Sequence, residues 1–191
     1  LGGSMTLRVS GKQVDVGESL RTYAEARIAE SVEKYFDGSF SGHMTLEKEG
    51  IGFKSDCVVH LDTGMVLQAS GSDGDPQKSF ELAAEHIEKR LRRYKRKLKN
   101  HRNEKNLAIE AAYGALEHPD AHEEVAEDFT PVVIAESTSP IRAMSVGDAV
   151  MELDLVDAPV VVFRNAGDDG INIVYKRKDG HIGWVNPTLA K

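Results

Sequence analysis

The fourteen-residue segment Lys89–Arg102 contains nine basic residues and no acidic one. Apolar residues recur through this segment and the residues before it at intervals of four, three, four, three and four. This spacing places apolar side chains on one face of an α-helix. The sequence therefore predicts a helix, running to about Arg102, that packs through an apolar stripe and turns its basic side chains outward. The stripe consists of Phe80, Ala84, Ile87, Leu91, Tyr94 and Leu98.

This basic segment stands in an acidic protein, whose formal net charge is −7 although the chain has 24 basic residues. A concentration of positive charge attracts polyanions, because the phosphates that it neutralises release their counterions. We expect the helix to bind nucleic acid, and the acidic surface around it to orient the bound molecule. The alternative is an ordinary solvated helix face, although such faces usually mix charges of both signs.

The chain before and through this helix predicts an α+β domain over residues 5–102. A strand signal at Thr6–Val16 is followed by helical spacing over Glu18–Phe36, and then by three strand signals that precede the basic helix. The short turns between these three strands are typical of an antiparallel meander. The predicted order, β-α-β-β-β-α, resembles a double-stranded-RNA-binding module with an extra first strand. The three strand signals lie at Ser39–Lys48, Gly52–Asp62 and Met65–Ser70.

Residues 103–130 have a different character, with eight acidic residues and only weakly periodic apolar content. We predict an acidic, mostly disordered and flexible linker, in which a short helix around Leu107–Leu116 could form. A flexible linker would allow the domains on either side to take independent positions. An alternative is that the acidic residues fold back on Lys89–Arg102 and shield its charge.

Residues 131–191 predict a small β-α-β-β-β domain, with a strand at Val132–Glu136 and a helix at Val146–Leu155 that begins after a cap at Ser145. In the following strand, Val160–Phe163 is apolar at every position, yet one helix can bury only one face of a small sheet. A domain this small is also marginal on its own core. We therefore expect a homodimer, and the alternative is a third layer supplied by the linker. The expected dimer residues are Val160, Val162, Phe163, Ile173, Tyr175 and Trp184, although the sequence does not distinguish the interface from the core face.

The sequence offers no recognisable catalytic or metal-binding constellation. His118 and His122 have the spacing of a helical metal site, but Pro119 follows directly and the neighbourhood is predicted to be linker. Cys57, the single cysteine, alternates with apolar residues and is expected to be a small buried side chain. We expect a protein that is not an enzyme and has no cofactor, no metal and no small-molecule substrate.

Two further expectations concern processing and location. Leu1–Ser4, before Met5, has the composition of a cloning scar and is left out of the predicted fold. The longest apolar runs fall far short of the roughly 20 residues that cross a bilayer. We expect a cytoplasmic protein that has no membrane partner.

Two stretches of sequence resemble a known family. The text SFELAAEHIEKRLRRYKRKLKNHR after the β-α-β-β-β run, and the C-terminal text VVFRNAGDDGINIVYKRKDGHIGWVNP, are similar to the long form of the bacterial ribosome hibernation promoting factor. This family is also labelled ribosome-associated inhibitor and modulator of an alternative sigma factor. The resemblance implies an N-terminal domain in the small-subunit channel for messenger RNA and transfer RNA. It also implies a C-terminal domain that pairs two factors, so that two idle ribosomes dimerise.

The resemblance also implies residue roles. The strands that carry FRN, VYKRKDG and the tryptophan would form the dimer. A regulator that binds a sigma factor remains an alternative, although it would not need an unbroken basic block. A nuclease is a second alternative, but it would need clustered carboxylates or a histidine pair near the basic face. By match to the family's basic helix, the ribosomal-RNA contacts are Lys89, Arg90, Arg92, Arg93, Arg96, Lys97 and Lys99.

Overall fold

The structure, a computed structural model, describes residues 5–100, 108–119 and 125–187. The expected scar at residues 1–4, the predicted end of the basic helix at His101 and Arg102, and His122 lie outside the described residues. The architecture is α+β, as the sequence predicted, with one four-stranded sheet in each half of the chain and a further two-stranded sheet. No helix among the described residues is both long and apolar enough to cross a membrane.

The N-terminal half has the predicted order β-α-β-β-β-α. Its elements are β1 (Met5–Lys12), α1 (Glu18–Tyr35), β2 (Phe40–Glu49), β3 (Gly52–Leu61), β4 (Val66–Asp73) and α2 (Pro76–Asn100). The strands lie in the order β1-β2-β3-β4, in which β2, β3 and β4 form the predicted antiparallel meander. β1 pairs with β2 in parallel, so α1 is the crossover between them.

Both helices of this half contribute to one apolar core with the sheet. Buried residues alternate along the strands, as in Met44 and Leu46 of β2, and the predicted stripe of α2 is buried apart from the half-buried Tyr94. This alternation is the period expected for a strand with one buried face. Cys57 is buried in this core as predicted, and burial raises the pKa of its thiol to about 12.

The start of α2 is fixed by its sequence. The carboxylate of Asp75 accepts a hydrogen bond from the backbone N–H of Lys78 at 2.9 Å, and Pro76 occupies the first helical position. Gly71 of β4 lets the helix approach closely, because a Cβ there would collide with the carbonyl oxygen of Ser79. The helix is thus held against β4 from its first turns.

The sequence-based prediction for the linker is wrong over residues 109–116. These residues form a strand, β5 (Ile109–Leu116), where disorder or a short helix was predicted. β5 pairs antiparallel with β6 (Val133–Ile141), so the strand predicted at Val132–Glu136 belongs to a two-stranded ribbon and not to the C-terminal sheet. The partner strand lies far along the chain, and the weak local periodicity carries no sign of that pairing.

The C-terminal half contains a second four-stranded sheet and one helix. Its elements are β7 (Ala143–Met144), α3 (Val146–Leu155), β8 (Val160–Asn165), β9 (Ile171–Lys176) and β10 (Ile182–Val185). The strand order is β10-β9-β8-β7, with β7 parallel to β8 and the other pairs antiparallel. Ser145 caps α3 as predicted, because its hydroxyl accepts a hydrogen bond from the backbone N–H of Asp148 at 3.1 Å.

Helix α3 is shared between the two halves of the molecule. Ala149 and Leu153 pack in the C-terminal core, whereas Met151 and Leu155 are buried in the N-terminal core. The helix also contacts α2 and β4, and β4 is the edge strand of the N-terminal sheet. Covering an edge strand protects its unpaired backbone groups from pairing with another chain.

Candidate nucleic-acid interface

Most basic residues of α2 are exposed, as the apolar stripe predicted. Of the seven helix residues that the resemblance implies as ribosomal-RNA contacts, Arg90 is the one that is not exposed. Its side chain is only 13% exposed, whereas that of Arg93, one turn later, is 62% exposed. The helix therefore presents two basic surfaces with different surroundings.

The first surface is an open stripe formed by Lys89, Arg92 and Arg96. Intervals of three and four residues place these side chains along one line of the helix. All three are exposed, and none has an ion-pair partner in the described part of the chain. A shallow depression lined by Glu85, Glu88, Lys89 and Arg92 marks the N-terminal end of the stripe. Unpaired guanidinium and ammonium groups in a row can neutralise successive phosphates.

The second surface, formed by Arg90, Arg93 and Lys97, is paired with carboxylates of the C-terminal half, although Arg93 and Lys97 stay more than half exposed. Arg93 pairs with Asp154, and Tyr94 donates its hydroxyl proton to the same carboxylate at 2.7 Å. The hydrogen bond to Asp154 raises the pKa of Arg93. Lys97 lies 3.4 Å from the carboxylate of Asp148.

Arg90 is the only enclosed member of this paired surface. Its guanidinium donates to the backbone carbonyl of Gln68 on β4, and lies 3.8 Å from the carboxylate of Asp154 and 3.3 Å from that of Asp157. Burial alone would raise the pKa of Asp157, but a hydrogen bond from Lys176 and the charge of Arg90 outweigh it and lower the pKa. The sequence could not reveal the two carboxylate partners, because Asp154 and Asp157 lie more than sixty residues further along the chain.

Lys99, the last of the seven implied contacts, lies beyond both surfaces. Its ammonium is 3.4 Å from the carboxylate of Asp37, which follows α1. The described residues do not support the alternative in which linker acids shield the basic helix. The acids that pair with the basic residues of α2 come from α3 and its flanks and from Asp37. Several of the linker's acids lie outside the described residues.

A cluster around Arg27 fixes α1 against the acidic half of α2. Arg27 lies 2.9 Å from both Glu81 and Glu88, and Lys34 lies 3.4 Å from Glu88. Burial alone would raise the pKa of Glu88, but hydrogen bonds from Arg27 and Lys34 outweigh it and lower the pKa. These acids are therefore neutralised within the domain, which reduces their repulsion of a polyanion on the open stripe.

The sheet of the C-terminal half has one face against α3 and one open face. Residues directly opposite on paired strands share a face, and the register pairs Val160 with Tyr175 and Val162 with Ile173. This face is apolar and partly exposed, with Val160 46% exposed. Two members of this face, Ile171 and Val185, were absent from the sequence-based set of dimer residues, although alternation along β9 from Ile173 predicts that Ile171 lies on the same face. The open sheet face consists of Val160, Val162, Ile171, Ile173, Tyr175 and Val185.

Phe163 does not lie on the open sheet face. It is fully buried in the core of the C-terminal half, together with Val174, Ala149 and Leu153. The apolar run Val160–Phe163 therefore divides by alternation, with its first and third residues open and its second and fourth facing α3. The expectation that Phe163 is a dimer residue is corrected on this ground.

Trp184 also lies on the α3 side of the sheet, because it is directly opposite Val174. It is 48% exposed at the edge strand, and its indole N–H donates to the side-chain oxygen of the buried Asn172 at 2.7 Å. On the open face, its neighbour Gly183 lies under the ring of Tyr175, which a Cβ at that position would overlap. Tyr175 can therefore lie flat along β10 as part of the open sheet face.

The described residues contain no group of three or more histidine, cysteine, aspartate or glutamate side chains that could hold a metal ion.

Comparisons with known proteins match nearly the whole chain. The family model described as "Sigma 54 modulation protein / S30EA ribosomal protein" matches residues 7–99, and the model for the C terminus of the same family matches residues 128–183. A ribosome hibernation promotion factor of Rhizobium meliloti is 50% identical over 98% of this chain and 100% of its own length. One of Bradyrhizobium diazoefficiens is 46% identical over 98% of this chain and 97% of its own.

Among solved structures, the N-terminal domain of Protein Y from Thermus thermophilus matches 49% of this chain and 99% of its own length. Its TM-score is 0.42 and its sequence identity is 20%.

Proposed function

Because the chain belongs to the family of long-form ribosome hibernation promotion factors, we propose that it is a ribosome hibernation factor of the cytoplasm. In this proposal α2 binds ribosomal RNA of the small subunit, within the channel for messenger RNA and transfer RNA, and blocks translation. The C-terminal half pairs two copies of the protein and thereby pairs inactive ribosomes.

The observation that carries the RNA-binding part is the open stripe Lys89, Arg92 and Arg96. Its charges are unpaired within the described residues, and they lie on a helix whose opposite face is locked into the core. A row of basic residues on a helix packed against the core suits the RNA backbone, because the positions of the residues along the helix are set before binding. Contacts of this kind carry little base specificity, which suits a factor that recognises a shaped site by its phosphates.

The action that these surfaces support is steric. A protein that fills the channel needs no chemical step, and removal of the factor should restore the ribosome unchanged. The relatives from Rhizobium meliloti and Bradyrhizobium diazoefficiens are both named ribosome hibernation promotion factor. They align with this chain over almost their full lengths, so the alignment includes both halves of the chain.

The open sheet face supports the pairing of two copies. A two-fold axis brings the same patch of each copy together, so a small self-complementary apolar face can close on itself. The face lies on the side of the sheet away from α3, and pairing through it leaves α2 accessible.

The RNA-binding part can be tested by reversing two charges of the open stripe. Arg92→Glu with Arg96→Glu should abolish association with purified small subunits, measured by pelleting at about 0.1 M salt. Lys48→Glu with Lys78→Glu is a matched control, because both lysines are exposed and the change in net charge is the same. The control should pellet like the unmodified protein. Retained pelleting of the stripe variant would show that α2 is not the binding element.

A further inference from the structure

We infer that α3 is a docking surface for the protein's own basic helix, so that the free protein is closed and RNA must displace α3 to reach the enclosed Arg90 and to free the exposed Arg93 and Lys97 from their carboxylate partners. This inference rests on the proposed function, since it concerns how the same helix becomes available to RNA. Two independent features of α3 carry it, one apolar and one ionic.

The apolar feature is the division of α3 into two buried sides. Residues four apart lie on the same side of a helix, and the pair Met151 and Leu155 lies opposite the pair Ala149 and Leu153. The first pair is 2% and 0% exposed and packs in the N-terminal core. A helix that served only the C-terminal sheet would leave that side polar. Its burial against another domain indicates a specific contact.

The ionic feature is a matched row of charges along the two helices. Lys97 faces Asp148, Arg93 faces Asp154, and Arg90 faces both Asp154 and Asp157. From Lys97 to Arg90 the residue numbers on α2 decrease, while those of the paired carboxylates increase from Asp148 to Asp157. The two rows of charges therefore run antiparallel. The carboxylates lie along the side of α2 adjacent to the open stripe. There they pair with Arg90, Arg93 and Lys97 in the place that RNA phosphates could otherwise take.

The two sides of the C-terminal half make closure compatible with dimerisation. The side of α3 that contacts α2 and the open sheet face are on opposite surfaces of that half, because α3 covers the other face of the sheet. A closed protein can therefore pair with a second copy before either binds a ribosome. The open stripe remains available in the closed form and can make the first contact with RNA.

One test compares two substitutions that remove the same charge. Asp154→Asn removes the carboxylate shared by Arg90, Arg93 and Tyr94. The control is Asp128→Asn, because Asp128 is exposed and has no ion-pair partner among the described residues. If closure competes with RNA, Asp154→Asn should bind purified small subunits about threefold to tenfold more tightly than the control. If the control binds and Asp154→Asn binds equally or more weakly, the inference is overturned, since α3 would then not compete with RNA.

A second test detects closure directly in the full chain. A water-soluble carbodiimide joins an amine to a nearby carboxylate, and Lys97 Nζ lies 3.4 Å from Asp148 Oδ1. The Lys97–Asp148 linked peptide should form in the free protein. In a mixture of isotopically light and heavy protein it should contain only light–light and heavy–heavy pairs. Excess small subunits should reduce its yield in the bound fraction severalfold.

The outcomes separate the inference from the proposed function. Absence of the linked peptide in free protein, mixed light–heavy pairs, or an unchanged yield on the small subunit would each overturn the inference. If the peptide forms but neither aspartate variant binds small subunits at all, the closed form is supported and the proposed function fails.

Discussion

Helix α2 and strand β8 both present side chains to two different surroundings, but their sequences express this in different ways. On α2 the buried side is apolar and the outer side is basic, so the two sides differ in chemistry. On β8 all four residues of Val160–Phe163 are apolar, and only the structure separates the buried pair from the open pair. The comparison teaches that the N-terminal half buries its apolar stripe, with Met151 and Leu155 of α3 completing its core, whereas the C-terminal half leaves one apolar sheet face uncovered.

The largest expected effect comes from the buried members of β8. Phe163→Ala should destabilise the C-terminal half by about 3–5 kcal/mol, because it empties a fully buried site between β8 and α3. Val162→Ala, one residue earlier on the open face, should cost about 1 kcal/mol or less. Denaturant unfolding followed by fluorescence of Trp184 reports on this half, since it contains the chain's single tryptophan. Equal losses in the two variants would refute the division of β8 into a core side and an open side.

A smaller effect is expected when a charge is added to the open sheet face. Val160→Asp should weaken homodimerisation about 100-fold, because two-fold pairing desolvates two copies of the new carboxylate near each other. Val132→Asp is the control, since Val132 is also exposed but lies outside the sheet. Analytical ultracentrifugation over a concentration series measures both, and circular dichroism verifies that each variant is folded. A dimer that resists Val160→Asp would have to use another surface.

The smallest effect concerns the Arg27 cluster, which lies within the N-terminal half. Glu88→Gln should cost about 1 kcal/mol of stability at pH 7 through loss of its pairs with Arg27 and Lys34. The folded protein lowers the pKa of Glu88, so this contribution is present above its ordinary value of 4.5. It should decline as pH falls below that value and vanish below the folded pKa. Glu85→Gln, an exposed neighbour, should show little difference at any pH in the same denaturation series.

The sequence predicted the features that local periodicity determines. The stripe of α2 was predicted because six apolar residues at helical spacing leave one orientation for the helix, and the cap at Ser145 because its side chain acts within its own turn. The enclosure of Arg90 was not predictable, since Asp154 and Asp157 reach it only through the packing of α3. The pairing of β5 with β6 was missed for the same reason. In each case the deciding contact joins distant parts of the chain.

The central claim is that one half of the molecule holds the ribosome and the other half pairs it. Sucrose-gradient sedimentation of purified ribosomes with full-length protein tests this most directly, with three samples run in parallel. The unmodified protein should produce paired ribosomes. Val160→Asp should remain bound to single ribosomes without pairing them, and Arg92→Glu with Arg96→Glu should leave ribosomes both free and unpaired. Paired ribosomes with the arginine variant, or loss of binding with Val160→Asp, would contradict the account.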